Sequence, residues 1–338
     1  MSGLIVERLP LARAVGPWDA LVASSPQGTV FCQSWWLAAA APAACEVLLV
    51  RRGGRVEAGL PLLPTGPRAL GRAVLSPVNG PLLAPPTSDR YVTRLSTEME
   101  LLGALAEALQ AEERVELDWH PSLTNWLPFR WAGFSQTTRY TYQIPDLTDL
   151  AAVFAESRSN VRTDRRKAER QGVRVEATTD LRRFLRLSRL TFERQGLAWP
   201  FGTATVHALL TTAQQRGALE VLIAVGPDGA DQAGAVLAFD ARMTWYLVGG
   251  GDPDQRNSGA TSLLLWTAIE HAAARGTGFD FEGSQIAAIE RFFRAFGARQ
   301  VPCMRVFADR RPPARKVAAE LERLGRGALR RLRARLPG

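Results

Sequence analysis

Hydrophobic positions along the chain follow two different spacings. Apolar residues three and four apart predict helices, and apolar residues at every second position predict strands. In the C-terminal half these spacings predict helices at Ser157–Gln171, Leu181–Arg194 and Ala204–Arg216, and strands in "VRVEA", "LEVLIAV", "AGAVLAFD" and "MTWYLVGG". A further helix, the strand "GFDFEGS", a short helix "AIERFFRAF" and the strand "VPCMRVF" follow. Antiparallel hairpins combined with one crossover helix predict an α/β (α+β) fold with mixed, mostly antiparallel sheets flanked by helices.

Part of this order occurs twice. The stretch "LLGALAEALQAEERVELDW" from Leu101 resembles "LLWTAIEHAAARGTGFDF" from Leu264, and "FRWAGFSQTTRYTYQI" from Phe129 resembles "FRAFGARQVPCMRVFA" from Phe293. The offset stays nearly constant through helix, strand, helix and strand, which indicates an internal duplication of one α/β unit. We therefore predict two domains and a basic C-terminal helix, at residues 1–145, 146–309 and 310–338.

Positive charge is concentrated at the C-terminal end. The formal net charge is +9, and residues 311–338 hold nine Arg or Lys against two Glu. Apolar residues at steps of three or four from Val317 to Leu336 predict an amphipathic helix here. The sequence leaves its role open between contact with an anionic membrane surface, contact with tRNA, docking on the folded body, and a merely solvated helix.

Composition narrows the class of protein. Hydrophobic residues make up 46% of the chain and charged residues 22%, as in globular proteins. The N-terminus lacks the pattern of a signal peptide, and no apolar run reaches the roughly 18 residues of a membrane span. Cys32, Cys45 and Cys303 are isolated and the three histidines lie far apart, so we expect neither a disulfide framework nor a metal site. We expect a cytoplasmic protein, with peripheral membrane contact through the tail as an alternative.

A flexible polar loop precedes one predicted helix in "GGGDPDQRNSGATSLLLWTAIEHAAARG" from Gly249 to Gly276. The first N–H groups of a helix lack partners within the helix and attract anions. A loop of small residues lets phosphates approach these groups closely. An ordinary turn with a capped helix, with Thr261 or Ser262 as the cap, is the alternative. The residues predicted to bind a phosphorylated cosubstrate are Arg256, Asn257, Ser258, Gly259, Ala260 and Thr261.

The order strand, R/Q-x-x-G-x-G/A, helix is similar to the pyrophosphate-binding signature of the GNAT acyltransferase superfamily. Arg256, Gly259 and Thr261 stand at its three positions, with Thr261 where Gly or Ala is usual. The stretches "SRSNVRTDRRKAERQGVRV", "YLVGGGDPDQRNSGATSLLLW", "FDFEGS", "ERFFRAFG" and "TVFCQSWWLAAA" resemble the FemAB-like branch, whose members have two GNAT-like domains. "DRYVTRLSTEMELL", before the helix of the first copy, has no glycine, so we expect one donor site, in the second domain, with the first domain as acceptor platform.

The resemblance implies an N-acyltransferase that carries an acyl group from an acyl-CoA cosubstrate to a small-molecule or peptide amine, with no tightly bound cofactor. A second alternative keeps the fold but uses aminoacyl-tRNA as donor, as Fem-type peptidyltransferases do for cell-wall precursors. A third is a non-catalytic module that binds anionic lipid or RNA through the basic tail.

Two residues are predicted to take part in catalysis. Glu282, at the end of the strand "FDFEGS", is the candidate base for the attacking amine, where ligands collect in open α/β sheets. Its alternatives are an ion pair with Arg291 or Arg294, or a helix cap. Arg294 lies in "FFRAFG", which resembles the family's "YKxxFG", and as an arginine it can only hold an anion or oxyanion. Asp280 points to the same face as Glu282, and we interpret it as structural.

Five further residues are predicted to bind substrate. Residues four apart share one face of a helix, so Arg158, Arg162 and Arg166 predict a basic stripe that grips phosphates, or else a solvated face. Trp199 lies in "TFERQGLAWPFG", which resembles an acceptor-side segment of the same branch, with a core position as the alternative. Ser284 either orients a substrate or caps the following helix.

Overall fold

The chain forms two compact units, and each contains residues from separate parts of the sequence. The computed structural model describes residues 3–41, 45–194, 199 and 204–316. The first unit runs to Arg139 and also contains Pro302–Arg311, and the second comprises Tyr140–Val301 and continues from Pro312. The predicted domain limits at 145 and 309 stay a prediction. Most of the predicted basic helix, from residue 317 to 338, lies outside the described residues.

The first unit consists of two sheets with helices. Its elements are β1 (Leu4–Pro10), α1 (Leu11–Ser24), α2 (Ser34–Ala40), β2 (Glu46–Arg52), β3 (Arg55–Leu62), β4 (Pro64–Gly66), β5 (Ala69–Leu70), β6 (Leu82–Leu83), α3 (Tyr91–Ala108), β7 (Arg114–Asp118) and α4 (Leu127–Trp131). Strands β1, β2, β3 and β6 pair in that order, all antiparallel. Strand β5 lies parallel to β7, whose other neighbour is the C-terminal part of β14 (Arg299–Asp309).

Three arginines surround one buried acid in this unit. Asp118, at the end of β7, is 3% exposed. Its carboxylate accepts from Arg139 Nη1 at 2.7 Å and from Arg305 Nε at 2.7 Å, and Arg72 Nε lies 3.1 Å away. A buried carboxylate needs such donors, so Asp118 joins β7 to the three chain segments that carry Arg72, Arg139 and Arg305.

The second unit is one sheet with helices on its faces. Its elements are β8 (Ser135–Ile144), which begins in the first unit, α5 (Leu150–Glu156), α6 (Ser159–Arg170), β9 (Arg174–Thr178), α7 (Leu181–Arg194), α8 (Ala204–Gln215), β10 (Leu219–Val225), β11 (Asp231–Phe239), β12 (Met243–Gly251), α9 (Ala260–Ala274), β13 (Gly278–Asp280), α10 (Ala287–Arg294) and the start of β14. Its strand order is β8, β13, β12, β11, β10 and β9. Among these described strand pairs, β12–β13 alone is parallel. This confirms the predicted mixed, mostly antiparallel α+β fold.

The core of this unit lies where α9 and α10 cover the sheet. α9 is apolar nearly all round, and Leu264, Leu265 and Ile269 are at most 1% exposed. Phe279 of β13 and Phe281, the residue after the end of β13, belong to the same hydrophobic cluster. α9 is the crossover that the parallel pairing of β12 and β13 requires, so its N-terminus follows the end of β12.

Two elements differ from the prediction. α3 begins at Tyr91, ten residues before the apolar repeat at Leu101 that indicated the helix. The pattern did not indicate these first turns because they are largely exposed and carry no apolar period. β13 ends at Asp280, whereas "GFDFEGS" was predicted as strand to its end. Among the residues described, no helix has both the length and the apolar character needed to cross a bilayer.

Candidate active site

An opening in the sheet lies between β12 and β13. The two strands pair in parallel only from Met243 to Trp245 and from Gly278 to Asp280. β12 then continues to Gly251, whereas β13 has ended. A bulge at Leu247, where pairing with β11 shifts register, adds twist to β12 at this point. Beyond Trp245 this side of β12 therefore has no partner strand among the described residues.

The glycine run at the end of β12 is required by packing. A Cβ at Gly249 would overlap the hydroxyl of Tyr246, which lies against the Gly249 backbone. A Cβ at Gly250 would lie 2.5 Å from the backbone nitrogen of Ser188, because α7 crosses the strand there. The hydroxyl of Thr191 also accepts from Gly251 N at 3.0 Å. The run thus anchors the exit of β12 on α7 and Tyr246.

The predicted phosphate-binding loop ends in a left-handed glycine. Gly259 has a φ of 82° and is the N-cap of α9 without a side-chain cap. A Cβ there would overlap the carbonyl oxygen of Asp164 on α6. The Ser258 hydroxyl accepts from Ala260 N at 3.2 Å, and neither Thr261 nor Ser262, which were considered as caps, stands at the N-cap position. Gly259 is therefore fixed by helix packing as well as by the turn.

The start of α9 keeps backbone donors available. Within the described part of the chain, the N–H groups of Thr261 and Ser262 form no hydrogen bond. Lys167 of α6 donates to the carbonyl oxygen of Asn257 at 2.6 Å and holds the loop against α6. Arg256 is exposed in the same loop. Donor N–H groups, the helix dipole and two cations make this a place where an anion is stabilised.

Glu282 lies in a strained turn just past β13. Its φ of 58° is in the left-handed region, which costs a residue with a side chain about 1–3 kcal/mol. Its N–H donates to Asp280 Oδ1 at 2.7 Å. The next residue, Gly283, has a φ of 66°, and a Cβ there would overlap the carbonyl oxygen of Tyr140 on β8. The turn takes the Glu282 side chain out of the strand alternation that the sequence suggested.

Asp280 has the geometry of a structural acid. It is 4% exposed, and its carboxylate accepts from the Thr141 hydroxyl, from Gln143 Nε2 at 2.7 Å and from Glu282 N. Burial raises the pKa of Asp280, and the three hydrogen bonds oppose that shift. The carboxylate oxygens of Asp280 accept hydrogen bonds from the turn and from β8, so Asp280 orients Glu282.

A phenol lies beside this turn. Tyr246 is the first residue of β12 beyond the paired segment, and its ring packs edge-on against Phe293 of α10 with centroids 5.8 Å apart. Phe293 in turn stacks on Phe281 at 5.2 Å. Burial raises the pKa of Tyr246, and the nearby charge of Glu282 raises it further. The phenol and the carboxylate therefore share one local environment at the opening.

Arg294 takes part in a network on α10. Its Nε donates to Glu290 Oε1 at 2.8 Å, one turn earlier in the helix, and its side chain is 48% exposed. Tyr142 donates to the same oxygen at 2.7 Å, and the two donors lower the pKa of Glu290. Arg294 therefore has an anionic partner on its own helix, and its role with an oxyanion stays a prediction. Ser284 accepts from Ile286 N at 3.1 Å, in the turn before α10.

The predicted basic stripe divides into two kinds of residue. Arg158 and Arg166 are exposed, and Arg166 lines a surface cavity of about 580 Å³ with Thr163, Glu169 and Arg170. Arg162 is half-buried and donates to the carbonyl oxygens of Ser157 and, at 3.1 Å, Ala155 at the end of α5. Two arginines of the stripe are thus available to a ligand, while the third ties α6 to α5.

Trp199 packs on α7. Its indole nitrogen donates to the Ser188 hydroxyl at 3.2 Å, and the guanidinium of Arg189 lies 4.8 Å from the ring centroid. Ser188 is fully buried and contacts the Gly250 backbone, so Trp199 is connected to the end of β12 through one residue. The remaining residues of its segment, 195–198 and 200–203, lie outside the described residues.

Two residues of the site escaped the sequence analysis. Lys167 was only one of several cations on α6, and nothing in the sequence relates it to a loop ninety positions away. Tyr246 was interpreted as an ordinary strand residue. The signal that could have found it is its position three residues before the first glycine of the run, because its hydroxyl occupies the space that a Cβ at Gly249 would need.

One family model matches part of the chain, and several solved structures are similar to it in fold. Residues 155–294 match the family described as "Acetyltransferase (GNAT) domain". Similar solved structures are "Crystal structure of FemX" (14% identity, 89% of this chain and 96% of that chain, TM-score 0.65) and a tandem GNAT protein from the clavulanic acid biosynthesis pathway (14%, 91% and 99%, TM-score 0.52). The C-terminal domain of a putative lysylphosphatidylglycerol synthetase from Agrobacterium fabrum is also similar (13%, 92% and 96%, TM-score 0.59). No curated protein matches the chain significantly.

The matched segment lies within the second unit and includes the opening, the loop and the turn at Glu282. At these identities the solved structures show the fold alone, and the similarity to FemX and to the tandem GNAT protein extends over nearly the whole of each of those chains. Residues 155–294 of the second unit therefore match a GNAT domain, and the chain has a fold similar to those of FemX and of a tandem GNAT protein.

Proposed function

We propose that the protein is an N-acyltransferase that uses a CoA thioester and transfers its acyl group to an amine. The phosphates of CoA bind at the start of α9, where Arg256 is exposed and the N–H groups of Thr261 and Ser262 form no hydrogen bond within the described residues. The thioester arm enters the opening between β12 and β13. The observation that carries this proposal is that β12 separates from β13 after Trp245 and then leads, through the loop, to the start of α9 that would hold the phosphates.

The chemistry requires few side chains. A neutral amine attacks the thioester carbonyl, and the carbonyl oxygen gains negative charge. N–H groups along the separated edge of β12 stabilise that charge, since backbone donors fixed in advance need no reorganisation. Glu282 accepts the proton that the attacking nitrogen loses. The strained turn and the hydrogen bond from Glu282 N to Asp280 fix the position of the base.

Thermal unfolding with and without ligand tests the donor. A ligand at 100 times its Kd stabilises the native state by about 2.7 kcal/mol, or roughly 5–10 °C for a domain of this size. We expect CoA to raise the Tm by this amount and pantetheine, which lacks the pyrophosphate, to raise it much less. Arg256→Ala should reduce the shift by CoA. Arg182→Ala, whose side chain is 87% exposed on α7, is the matched control and should not. An equal shift by CoA and pantetheine would contradict the phosphate site.

A second donor, aminoacyl-tRNA, is favoured by a different observation. Arg158, Arg166 and Arg170 are exposed on α6, the helix whose Lys167 contacts the loop. A polynucleotide that crossed this helix would displace counterions, so its affinity would fall steeply with salt concentration. Filter binding of charged tRNA at several salt concentrations distinguishes the two donors. Affinity that does not change with salt counts against tRNA.

The basic tail supports a third proposal, peripheral contact with an anionic membrane or RNA by a cytoplasmic protein. Deletion of residues 311–338 separates this contact from catalysis. If acyl transfer survives the deletion, the protein is not merely a binding module. If vesicles containing phosphatidylglycerol bind the full chain and the deleted chain equally well, the tail has no role in membrane contact.

A further inference from the structure

The sheet of β1, β2, β3 and β6 has one long apolar edge. β1 pairs with β2 on one side, and its other side has no partner strand among the described residues. The strand has seven residues, and three successive apolar ones, Leu4, Ile5 and Val6, stand in its first half. Ile5 is 63% exposed and Val6 is 39% exposed. A strand of this kind presents unpaired N–H and C=O groups and apolar side chains to another strand.

The three other sheet edges in the described part of the chain are protected. β4 and β6 are short, with three and two residues. β9 carries the exposed charges of Arg174 and Glu176. Short edge strands and charged edge residues are devices by which proteins avoid the pairing of sheets. β1 differs, because it is long and because its charged residues, Glu7 and Arg8, already form ion pairs within the first unit.

A groove of about 480 Å³ follows the same edge on the side of α3. Its apolar walls are Leu4 and Val6 of β1 and Met99, Gly103, Ala104 and Ala108 of α3. A Cβ at Gly103 would have nothing within 4 Å, so the α3 wall leaves room for a side chain. Ile5 points to the opposite face of the sheet, because side chains alternate along a strand. An occupant of this edge must therefore offer apolar side chains on both faces of a strand.

A second copy of β1 meets this requirement. Directly opposed residues of an antiparallel pair lie on the same face, and a two-fold axis perpendicular to the sheet preserves the two faces. With the axis at Ile5, this residue meets its own copy on one face, and Leu4 meets Val6 of the second copy on the other. Leu4 and Val6 of each copy then lie at the groove of the other. The apolar residues are symmetric about Ile5, so one register covers all three.

The charges at the two ends of such a pair are complementary. Arg52, the β2 partner of Leu4, donates to Glu100 Oε2 at 2.7 Å. At the other end of β1, Arg8 donates to Glu112 Oε1 at 2.8 Å, so α3 runs beside β1 in the same direction. In an antiparallel pair, Arg8 of one copy therefore lies beyond Leu4 of the other, at the end that carries Glu100. The side chains of Arg8 and Glu100 are both about half exposed, and their charges have opposite signs.

We propose that β1 pairs with β1 of a second copy of this chain, antiparallel about a two-fold axis at Ile5, and joins the two four-stranded sheets into one. Such a contact uses the same surface on both copies, so it closes on itself and gives a dimer instead of a filament. It also removes the unpaired edge from solvent. The dimer does not depend on the donor or the acceptor of the proposed reaction.

Sedimentation equilibrium of the full chain over a series of concentrations tests the dimer. Ile5→Lys places two ammonium groups opposite each other at the axis, and the exposure of this side chain in a single copy should leave the fold intact. Ile286→Lys, on an isoleucine of the second unit that is 60% exposed, is the matched control. We expect the wild type and the control to be dimers. In Ile5→Lys the dissociation constant of the dimer should rise about 100-fold or more, because two buried isoleucines are lost and like charges are opposed.

Oxidation of cysteine variants tests the register. Ile5→Cys places two thiols opposite each other, so we expect a covalent dimer under mild oxidation. Val6→Cys lies two positions from its own copy along the strand, and it should remain without a link, as should Ile286→Cys. The wild type reports any link through the native Cys45 and Cys303.

Three results overturn the inference. The first is a wild type that sediments as a monomer at every concentration. The second is a dimer that Ile5→Lys does not weaken, which would place the contact on another surface or on the C-terminal tail. The third is a disulfide that forms in Val6→Cys and not in Ile5→Cys, because it would place the axis at a different residue.

Discussion

Replacement of Gly259 by alanine tests whether the start of α9 is held in place by α6. Two separate costs are expected. The first is conformational, because a φ of 82° costs a residue with a Cβ roughly 1–2 kcal/mol. The second is steric, because the new methyl group would overlap the Asp164 carbonyl oxygen and lie 2.9 Å from its carbonyl carbon.

The steric cost can be separated from the conformational cost. Gly276 follows α9 with a φ of 70°, and nothing lies within 4 Å of the place where its Cβ would be. Gly276→Ala therefore measures the conformational cost, partly offset by the reduced freedom of the unfolded chain. Displacing the α6 backbone adds about 1–3 kcal/mol, as other overpacked sites show. Gly259→Ala should thus unfold roughly 3–10 °C below Gly276→Ala.

Differential scanning calorimetry of both variants measures this difference, and a titration with CoA measures its functional effect. We expect Gly259→Ala to bind CoA more weakly, since α9 must shift away from α6, and Gly276→Ala to bind it as the wild type does. Equal melting temperatures for the two variants would show that the contact with Asp164 is not tight. Unchanged CoA affinity of Gly259→Ala would refute the link between that contact and the phosphate site.

Three further predictions concern charged residues. Glu282→Gln should lower kcat by about 10²–10⁴-fold and leave the Kd for acetyl-CoA unchanged; an unaltered rate would exclude Glu282 as the base. Lys167→Met should free the Asn257 loop and weaken CoA binding about fivefold, or ~1 kcal/mol, while a loss of Tm without a loss of affinity would contradict this. Asp231 is 8% exposed and accepts a hydrogen bond from Arg183, which lowers the pKa of Asp231. The ion pair therefore stabilises the native state at neutral pH, and this stabilisation is lost as the pH falls below about 4. Asp231→Asn should therefore lower the Tm at pH 7, corresponding to a loss of about 1–3 kcal/mol in the free energy of unfolding. At pH 3 the Tm should fall much less, and an equal drop in Tm at both pH values would argue against the ion pair.

Much of the second unit could be predicted from the sequence because apolar residues recur at regular spacings along its helices and strands. α7 begins and ends at the predicted residues Leu181 and Arg194, since its apolar positions recur at three and four along the whole helix. β10 likewise coincides with "LEVLIAV", a short run of apolar and β-branched residues. The mixed sheet follows from such elements in order, whereas the GNAT resemblance rests on the motif at Arg256, Gly259 and Thr261 and on the stretches around it; both were confirmed.

The details of the candidate site could not be predicted in the same way. The pattern located the loop before α9, but the packing of Gly259 against Asp164 depends on how two helices meet. The pattern also predicted strand through Glu282, although the chain leaves the strand there with a positive φ. Backbone strain and contacts between distant elements produce no regular spacing of apolar residues in the sequence, so only the three-dimensional structure shows them.

The route of the chain through β14 has a consequence for dissection of the protein. β14 starts in the second unit at Arg299, and its residues from Arg305 to Asp309 supply the neighbour of β7 in the first. A fragment that stops after β8 would leave β7 with a bare hydrogen-bonding edge, the kind of edge that recruits other chains. Proteolysis or gene truncation at the middle of the chain should therefore give insoluble halves, and co-expression of both pieces is the way to recover them.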